Sequence, residues 1–248
     1  ISNRIMTLTD NNANIEIIKN ILMQNNQIES KIILSNLEFK LKNYQKSYEL
    51  LDLYSNDDKL KIAFIEDLIK IDNFDLSEEI INSIIKKSKN KNTITKAIFL
   101  LAQLFENKLI EKSNQLPISE IINTNEILDS PFIKINEKHA SLLENATNIY
   151  DSLSINLNDY SSTFHLAEIK YRIQGDLDGA LNLYTDIFNK IKSADYKIKS
   201  LERIIDIYHS KGDLNGASEK IEKYMNLNNE KIKTTLNIKK IQNYFYAG

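Results

Sequence analysis

Apolar residues return every three or four positions in eleven stretches of the chain: Ile15–Met23, Lys31–Leu41, Tyr48–Leu53, Leu60–Ile71, Ile80–Ile85, Ile94–Phe105, Ala140–Leu153, Phe164–Ile173, Ala180–Ile191, Leu201–Tyr208 and Ala217–Met225. That is the period of one helical face, so each stretch predicts an amphipathic helix. Many of the apolar residues are Ile and Tyr, which are mediocre helix formers, so packing between helices must hold the elements more than propensity does. The longest apolar run, Ala97 to Phe105, is broken by Gln103 and is too short to span a bilayer.

Punctuation supports the helical reading. The 248 residues hold 5 Gly and 2 Pro, where average usage gives roughly 17 and 12. All-β folds spend both residues on turns, so this scarcity predicts an all-α fold. Four of the glycines lie in two copies of one phrase, Gly175-Asp176-Leu177-Asp178-Gly179-Ala180 and Gly212-Asp213-Leu214-Asn215-Gly216-Ala217, set 37 residues apart. The phrase reads as the turn of a helical hairpin. Its first Gly takes the left-handed conformation that ends one helix, and Asp caps the next. A small residue followed four positions later by a bulky one then recurs as Ala13/Ile17, Ser47/Leu51, Ser77/Ile81, Ala146/Tyr150, Ala180/Tyr184 and Ala217/Ile221. The spacings are 34, 30, 69, 34 and 37.

A helix-turn-helix unit of about 34 residues carrying such a pair resembles the tetratricopeptide repeat (TPR) family, over essentially the whole chain. The best unit reads Phe164, Ala167, Glu168, Tyr171, Gly175, Ala180, Tyr184, Ile187, and it departs at Glu168, where the family prefers a small residue. The next reads Leu201, Ile204, Ile205, Tyr208, Gly212, Ala217, Ile221, Tyr224. Two earlier units carry Lys42 and Asp72 at the turn-glycine position, with Asn43 and Asn73 able to cap the helices that follow. The resemblance implies a right-handed superhelical solenoid of antiparallel helix pairs. It predicts one domain over 1–248: a partial repeat at 1–27, repeats at about 28–57, 58–94, 95–159, 160–197 and 198–233, and a partial repeat or cap at 234–248.

The 69-residue step predicts an insertion at 107–137, which holds both prolines, Pro117 and Pro131. Its apolar residues, among them Leu109, Ile110, Ile121, Ile122, Phe132, Ile133 and Ile135, predict that it packs back on the repeats, with a short helix over Ser119–Leu128. Tyr244-Phe245-Tyr246-Ala247-Gly248 reads as a first helix reaching its turn glycine, and Ala13/Ile17 as a second helix lacking most of its partner. Both ends therefore predict a piece of a longer repeat protein, the alternative at the C-terminal end being a terminal cap over Lys231–Tyr246.

Chemistry narrows the function classes. Lys+Arg 32 against Asp+Glu 34 gives a net charge of -2, and arginine is confined to Arg4, Arg172 and Arg203. That balance speaks against a nucleic-acid partner. With Cys 0 there is no disulfide, thiolate metal site or thiol nucleophile, a usage compatible with a soluble protein of cytoplasm or periplasm. His139, His165 and His209 have no metal-ligand spacing, and no phosphate loop, dinucleotide fingerprint or nucleophile elbow occurs. The expectation is a non-enzymatic scaffold without cofactor or metal that binds a peptide or partner protein. In the family that face is the groove lined by the first helices. Here it carries His165, Ile169, Arg172, Lys199, Glu202, Asp206 and His209, a mixed-charge stripe that also fits a solvated helix face. A peptide-sensing regulatory domain and the helical-repeat segment of a larger enzyme remain alternatives.

Overall fold

The structure is a computed structural model that describes residues 12–111, 114–115, 132–227 and 229–248. Among them are twelve α-helices: α1 (Asn12–Gln24), α2 (Ile28–Lys40), α3 (Tyr44–Tyr54), α4 (Asp58–Lys70), α5 (Phe74–Lys87), α6 (Lys91–Glu111), α7 (Ala140–Leu157), α8 (Tyr160–Ile169), α9 (Leu177–Lys190), α10 (Ala194–Ser210), α11 (Leu214–Met225) and α12 (Glu230–Ala247). One two-residue antiparallel ladder, β1 (Asn114–Gln115) with β2 (Ile133–Lys134), pairs Asn114 with Lys134 and Gln115 with Ile133. The chain divides into two compact units, Ile1–Leu104 and Phe105–Gly248.

In the first unit α2 packs on α3 and α4 on α5 as hairpins. The two residues that replace turn glycine, Lys42 and Asp72, do take the left-handed conformation, at φ 64 and 59°. The small residues Ser47 and Ser77 are fully buried, as the ladder requires. Serine does more than save space: Ser35 Oγ donates to the Ser47 carbonyl at 2.7 Å and Ser47 Oγ donates to that of Ser35 at 2.7 Å. These crossed bonds pin α2 to α3 where an alanine pair could only touch. The expected side-chain caps at Asn43 and Asn73 do not form. Asn43 instead turns its amide to Glu38 Oε2 at 2.7 Å, because that buried carboxylate needs donors more than an exposed helix start does.

The second unit contains the repeated glycine phrase, and its chemistry follows the expectation. Gly175 and Gly212 adopt φ 67 and 70°, and Asp176 and Asp213 accept from the backbone N–H of Gly179 and Gly216 at 2.9 and 2.8 Å. The second glycine of each copy has a steric reason: a Cβ at Gly179 or Gly216 would collide with the capping carboxylate of Asp176 or Asp213. Ala146, Ala180 and Ala217 are fully buried, with Tyr150, Tyr184 and Ile221 beside them in the core. The side chain of Ala13 lies outside the described residues. Ile17, its bulky partner, is exposed.

Helix α6 runs on to Glu111, into the stretch expected as insertion, because Leu109 continues its buried face. The expected helix over Ser119–Leu128 falls outside the described residues. Where the chain returns, Ile133 is buried and the Phe132 ring meets Tyr171 edge-on at 5.6 Å. Strand β2 there rests on a π-turn, Lys170–Gln174, that widens the end of α8.

Candidate functional site

The departure at Glu168 is the entry to the site. This glutamate is buried within α8, yet Arg203 of α10 grips it with two nitrogens, Nε to Oε1 at 2.6 Å and Nη2 to Oε2 at 3.2 Å. The Tyr184 hydroxyl of α9 donates to Oε1 at 2.6 Å, and Arg172 lies 3.6 Å away. Burial pushes the Glu168 carboxyl up, but the Arg203 charge, hydrogen bonds from Arg203 and Tyr184, and Arg172 outweigh it, so the group stays below the ordinary glutamate range. Burial, then the facing carboxylate, raises the Tyr184 hydroxyl far above its usual value and keeps it a donor.

The same triad recurs one repeat earlier. Glu106 of α6 accepts from the Tyr150 hydroxyl of α7 at 2.8 Å and meets His165 Nδ1 of α8 at 2.8 Å, the imidazole lying flat against the Tyr150 ring at 5.0 Å. Each triad draws a carboxylate from a first helix, a phenol from the second helix of that hairpin, and a nitrogen base from the next first helix. Where the bulky position is aliphatic the carboxylate vanishes: sixteen residues before Ile221 and Ile81 stand Ile205 and Ile65, as Glu168 stands sixteen before Tyr184. In these two joints carboxylate and phenol satisfy each other, as buried polar groups require.

Two further bonds bind α10 to α12. Asp206 receives Lys239 Nζ at 2.5 Å and Arg203 Nη1 at 3.3 Å. His209 Nε2 bonds Asn243 Oδ1 at 3.0 Å, while Asn243 Nδ2 donates to Ser218 Oγ at 2.8 Å. Burial lowers His209 below the ordinary histidine value, more than Asn243 and Asp206 raise it. Successive first helices of this unit are thus joined rung by rung.

Six of the seven residues expected on the binding stripe lie on or beside these rungs. His165, Asp206 and His209 form them, Arg172 flanks Glu168, Lys199 is exposed and Glu202 is half-buried. Burial is the main reason that Glu202 ionises above the ordinary glutamate range. Ile169 requires a correction. It is 1% exposed and offers no side chain to a partner. Counting helical faces put it outside, but α8 is covered on nearly all sides, with Ser162 through Phe164 and Leu166 through Ile169 all buried. Glu106, Arg203, Lys239 and Asn243 were not singled out from the sequence. The signal for Glu168 was the Glu/Tyr against Ile/Ile alternation at sixteen residues; Glu106 stands 44 residues before Tyr150, and that spacing hides its triad.

Among the described residues no group of three or more His, Asp or Glu could hold a metal ion, and no helix is long and apolar enough to cross a membrane. No family model and no curated protein matches the sequence. Solved structures do match. A thermophilic TPR protein of Thermus thermophilus aligns over 87% of this chain and 100% of its own, with a TM-score of 0.50 and 11% identity. A tetratricopeptide repeat protein from Parabacteroides merdae aligns over 96% of this chain and 95% of its own, with a TM-score of 0.37 and 13% identity. The chain has the TPR fold of stacked antiparallel helix pairs, as the repeat phase predicts; at 11% identity the likeness to the Thermus thermophilus protein is one of fold.

Proposed function

We propose that the chain is a protein-interaction scaffold that holds a peptide or partner protein along the first helices α8, α10 and α12. The observation that carries this reading is the rung-by-rung pairing of those helices. Glu168–Arg203, Asp206–Lys239 and His209–Asn243 fix the spacing of the row before any partner arrives. A row that is already ordered loses little entropy on binding, which is what a scaffold needs. The polar groups also favour binding over chemistry, since the phenols Tyr150 and Tyr184 are held neutral and Glu106, Glu168 and Asp206 are spent on neighbours. Arg172, Lys199, Glu202, Asp206, His165 and His209 are the side chains assigned to the contact face, with Ile169 left out.

The test is a peptide array probed with the purified chain, followed by titration calorimetry on the peptides retained. Lys199→Glu combined with Arg172→Ala should weaken a retained peptide about tenfold or more. Such partly exposed positions shift stability only modestly, so the melting temperature should hold nearly constant. Full affinity in that variant would move the contact face elsewhere.

A further inference from the structure

Four hairpins, α2/α3, α4/α5, α8/α9 and α10/α11, turn on a left-handed residue: Lys42, Asp72, Gly175 and Gly212. In three of them the next amide closes the turn on the carbonyl five positions back. Asn43 donates to Glu38, Asn73 to Leu68 and Asp213 to Tyr208, at 2.9, 3.0 and 3.0 Å. That is the ordinary left-handed end of an α-helix. The end of α8 departs from it by one residue. Asp176 donates six positions back, to the Lys170 carbonyl at 2.9 Å, and the Gly175 amide bonds the same oxygen. The repeat phase calls for Tyr171 there, the counterpart of Tyr208.

The turn phrase is not the cause, since Gly175-Asp176-Leu177 and Gly212-Asp213-Leu214 are identical. What sets the π-turn Lys170–Gln174 apart is its cover. The Phe132 ring meets Tyr171 edge-on at 5.6 Å, an attractive arrangement for two rings, and buried Ile133 follows it in β2. Strand β2 lies against the π-turn and is laddered to β1, which starts three residues beyond α6. Under this cover Tyr171 is 1% exposed, whereas Tyr208 is half-buried with Lys220 over its ring. Single π-turns are rare and occur frequently at functional sites. This one carries Arg172, a residue of the assigned contact face.

We propose that Phe132–Lys134 is a regulatory strap on the end of α8. Seated on Tyr171, it holds that end in the π register. Lifted, it lets the end close five positions back like the three sister turns, and the one-residue slip re-aims Arg172. The consequence for binding rests on the scaffold reading, because that reading places Arg172 on the contact face. Regulation of this kind needs an element with two discrete arrangements. The α8 end has one, and the same phrase shows the other 37 residues on.

Through-hydrogen-bond NMR couplings on the perdeuterated chain read the register, because the Asp176 amide couples to the carbonyl that accepts from it. Wild type should couple to Lys170, and Phe132→Ala should move the coupling to Tyr171. Phe132→Tyr, which keeps the ring, should leave it at Lys170. Lys170 Nζ also reaches Asp176 Oδ2 at 2.7 Å, a local contact able to draw the turn without the strap. Lys170→Met should therefore leave the coupling in place as well. A coupling that stays at Lys170 in Phe132→Ala, or that moves in Lys170→Met, overturns the strap. Phe132→Leu, which keeps apolar cover without the ring, carries the same test if Phe132→Ala does not fold. Peptides retained on the array then read the consequence. Phe132→Ala should bind them at least threefold more weakly than wild type, and the difference should vanish in an Arg172→Ala background. Equal affinity overturns the regulatory role even where the register moves. An array without any ligand sinks the scaffold reading, and the couplings alone then decide the strap.

Discussion

At Glu168 a single residue decides between two ways of building the same joint. Taking a carboxylate out of water costs several kcal/mol after relaxation, and only a well-formed partner set offsets it. Here the set is a two-point guanidinium grip, a phenol at 2.6 Å and a second arginine. Glu168→Gln removes the charge Arg203 faces, leaving Asp206 at 3.3 Å as its carboxylate partner among the described residues, and should destabilise the chain by about 3–5 kcal/mol at neutral pH. The pH dependence has a definite sign. Because folding depresses the Glu168 pKa, its contribution is complete above the ordinary glutamate range and drains away as pH falls through the folded value. Melting curves at pH 7 and pH 3 should show the gap between wild type and Glu168→Gln narrowing in acid; a constant gap would mean the carboxylate is not charged in the folded state. The Ile205/Ile221 joint solves the same packing problem with no charge at all.

Turns show what a helical hairpin demands of its elements. No neighbour lies within 4 Å of a Cβ built at Gly175 or Gly212, so glycine serves the left-handed backbone there and not a close approach. The residues at Lys42 and Asp72 hold that conformation without glycine's freedom, at φ 64 and 59°. A side chain in this region costs roughly 1–2 kcal/mol. Glycine's larger unfolded-state entropy returns about 0.5–1 kcal/mol of that. Lys42→Gly should therefore stabilise the chain by about 0.5–1 kcal/mol, whereas Gly175→Ala should destabilise it by a similar amount. Urea midpoints at unchanged slope would register both, and a destabilised Lys42→Gly would refute the strain argument. The helices themselves were legible from periodicity, and the left-handed turn positions from the repeat phase. The absent caps at Asn43 and Asn73 were not, because Glu38's demand on Asn43 arises only once α2 and α3 have packed.

Over the molecule, stability in a stack of helix pairs comes from neighbour interfaces, so helices enclosed on all sides should open last. In the unit Phe105–Gly248, α8 is buried almost throughout, while α12 buries Ile232, Leu236 and Asn243 and exposes Ile238, Ile241, Tyr244 and Phe245. In Ile1–Leu104, α1 exposes Ile17, Ile21 and Met23 around a single described buried side chain, Leu22. Hydrogen exchange followed by mass spectrometry should find α12 the fastest helix of its unit and α1 the fastest of the other, with α8 the slowest. Uniform exchange from α7 to α12 would contradict neighbour-limited stability.

Periodicity, turn glycines, Asp caps and the small-residue ladder could all be read along the chain, because each answers to forces acting within about one hairpin: the sterics of positive φ, the orphan N–H groups of a helix start, the room one helix leaves another. The site was only half legible. His165, Asp206 and His209 were among the residues singled out, but the groups that join them to other helices stand 33 to 59 residues away, as Lys239 does from Asp206 and Glu106 from His165. Stacking brings those groups together, and stacking also buries Ile169 and half-buries Glu202. Such outcomes depend on how much water each side chain loses and which charge replaces it, and those quantities exist only once the repeats have closed on one another.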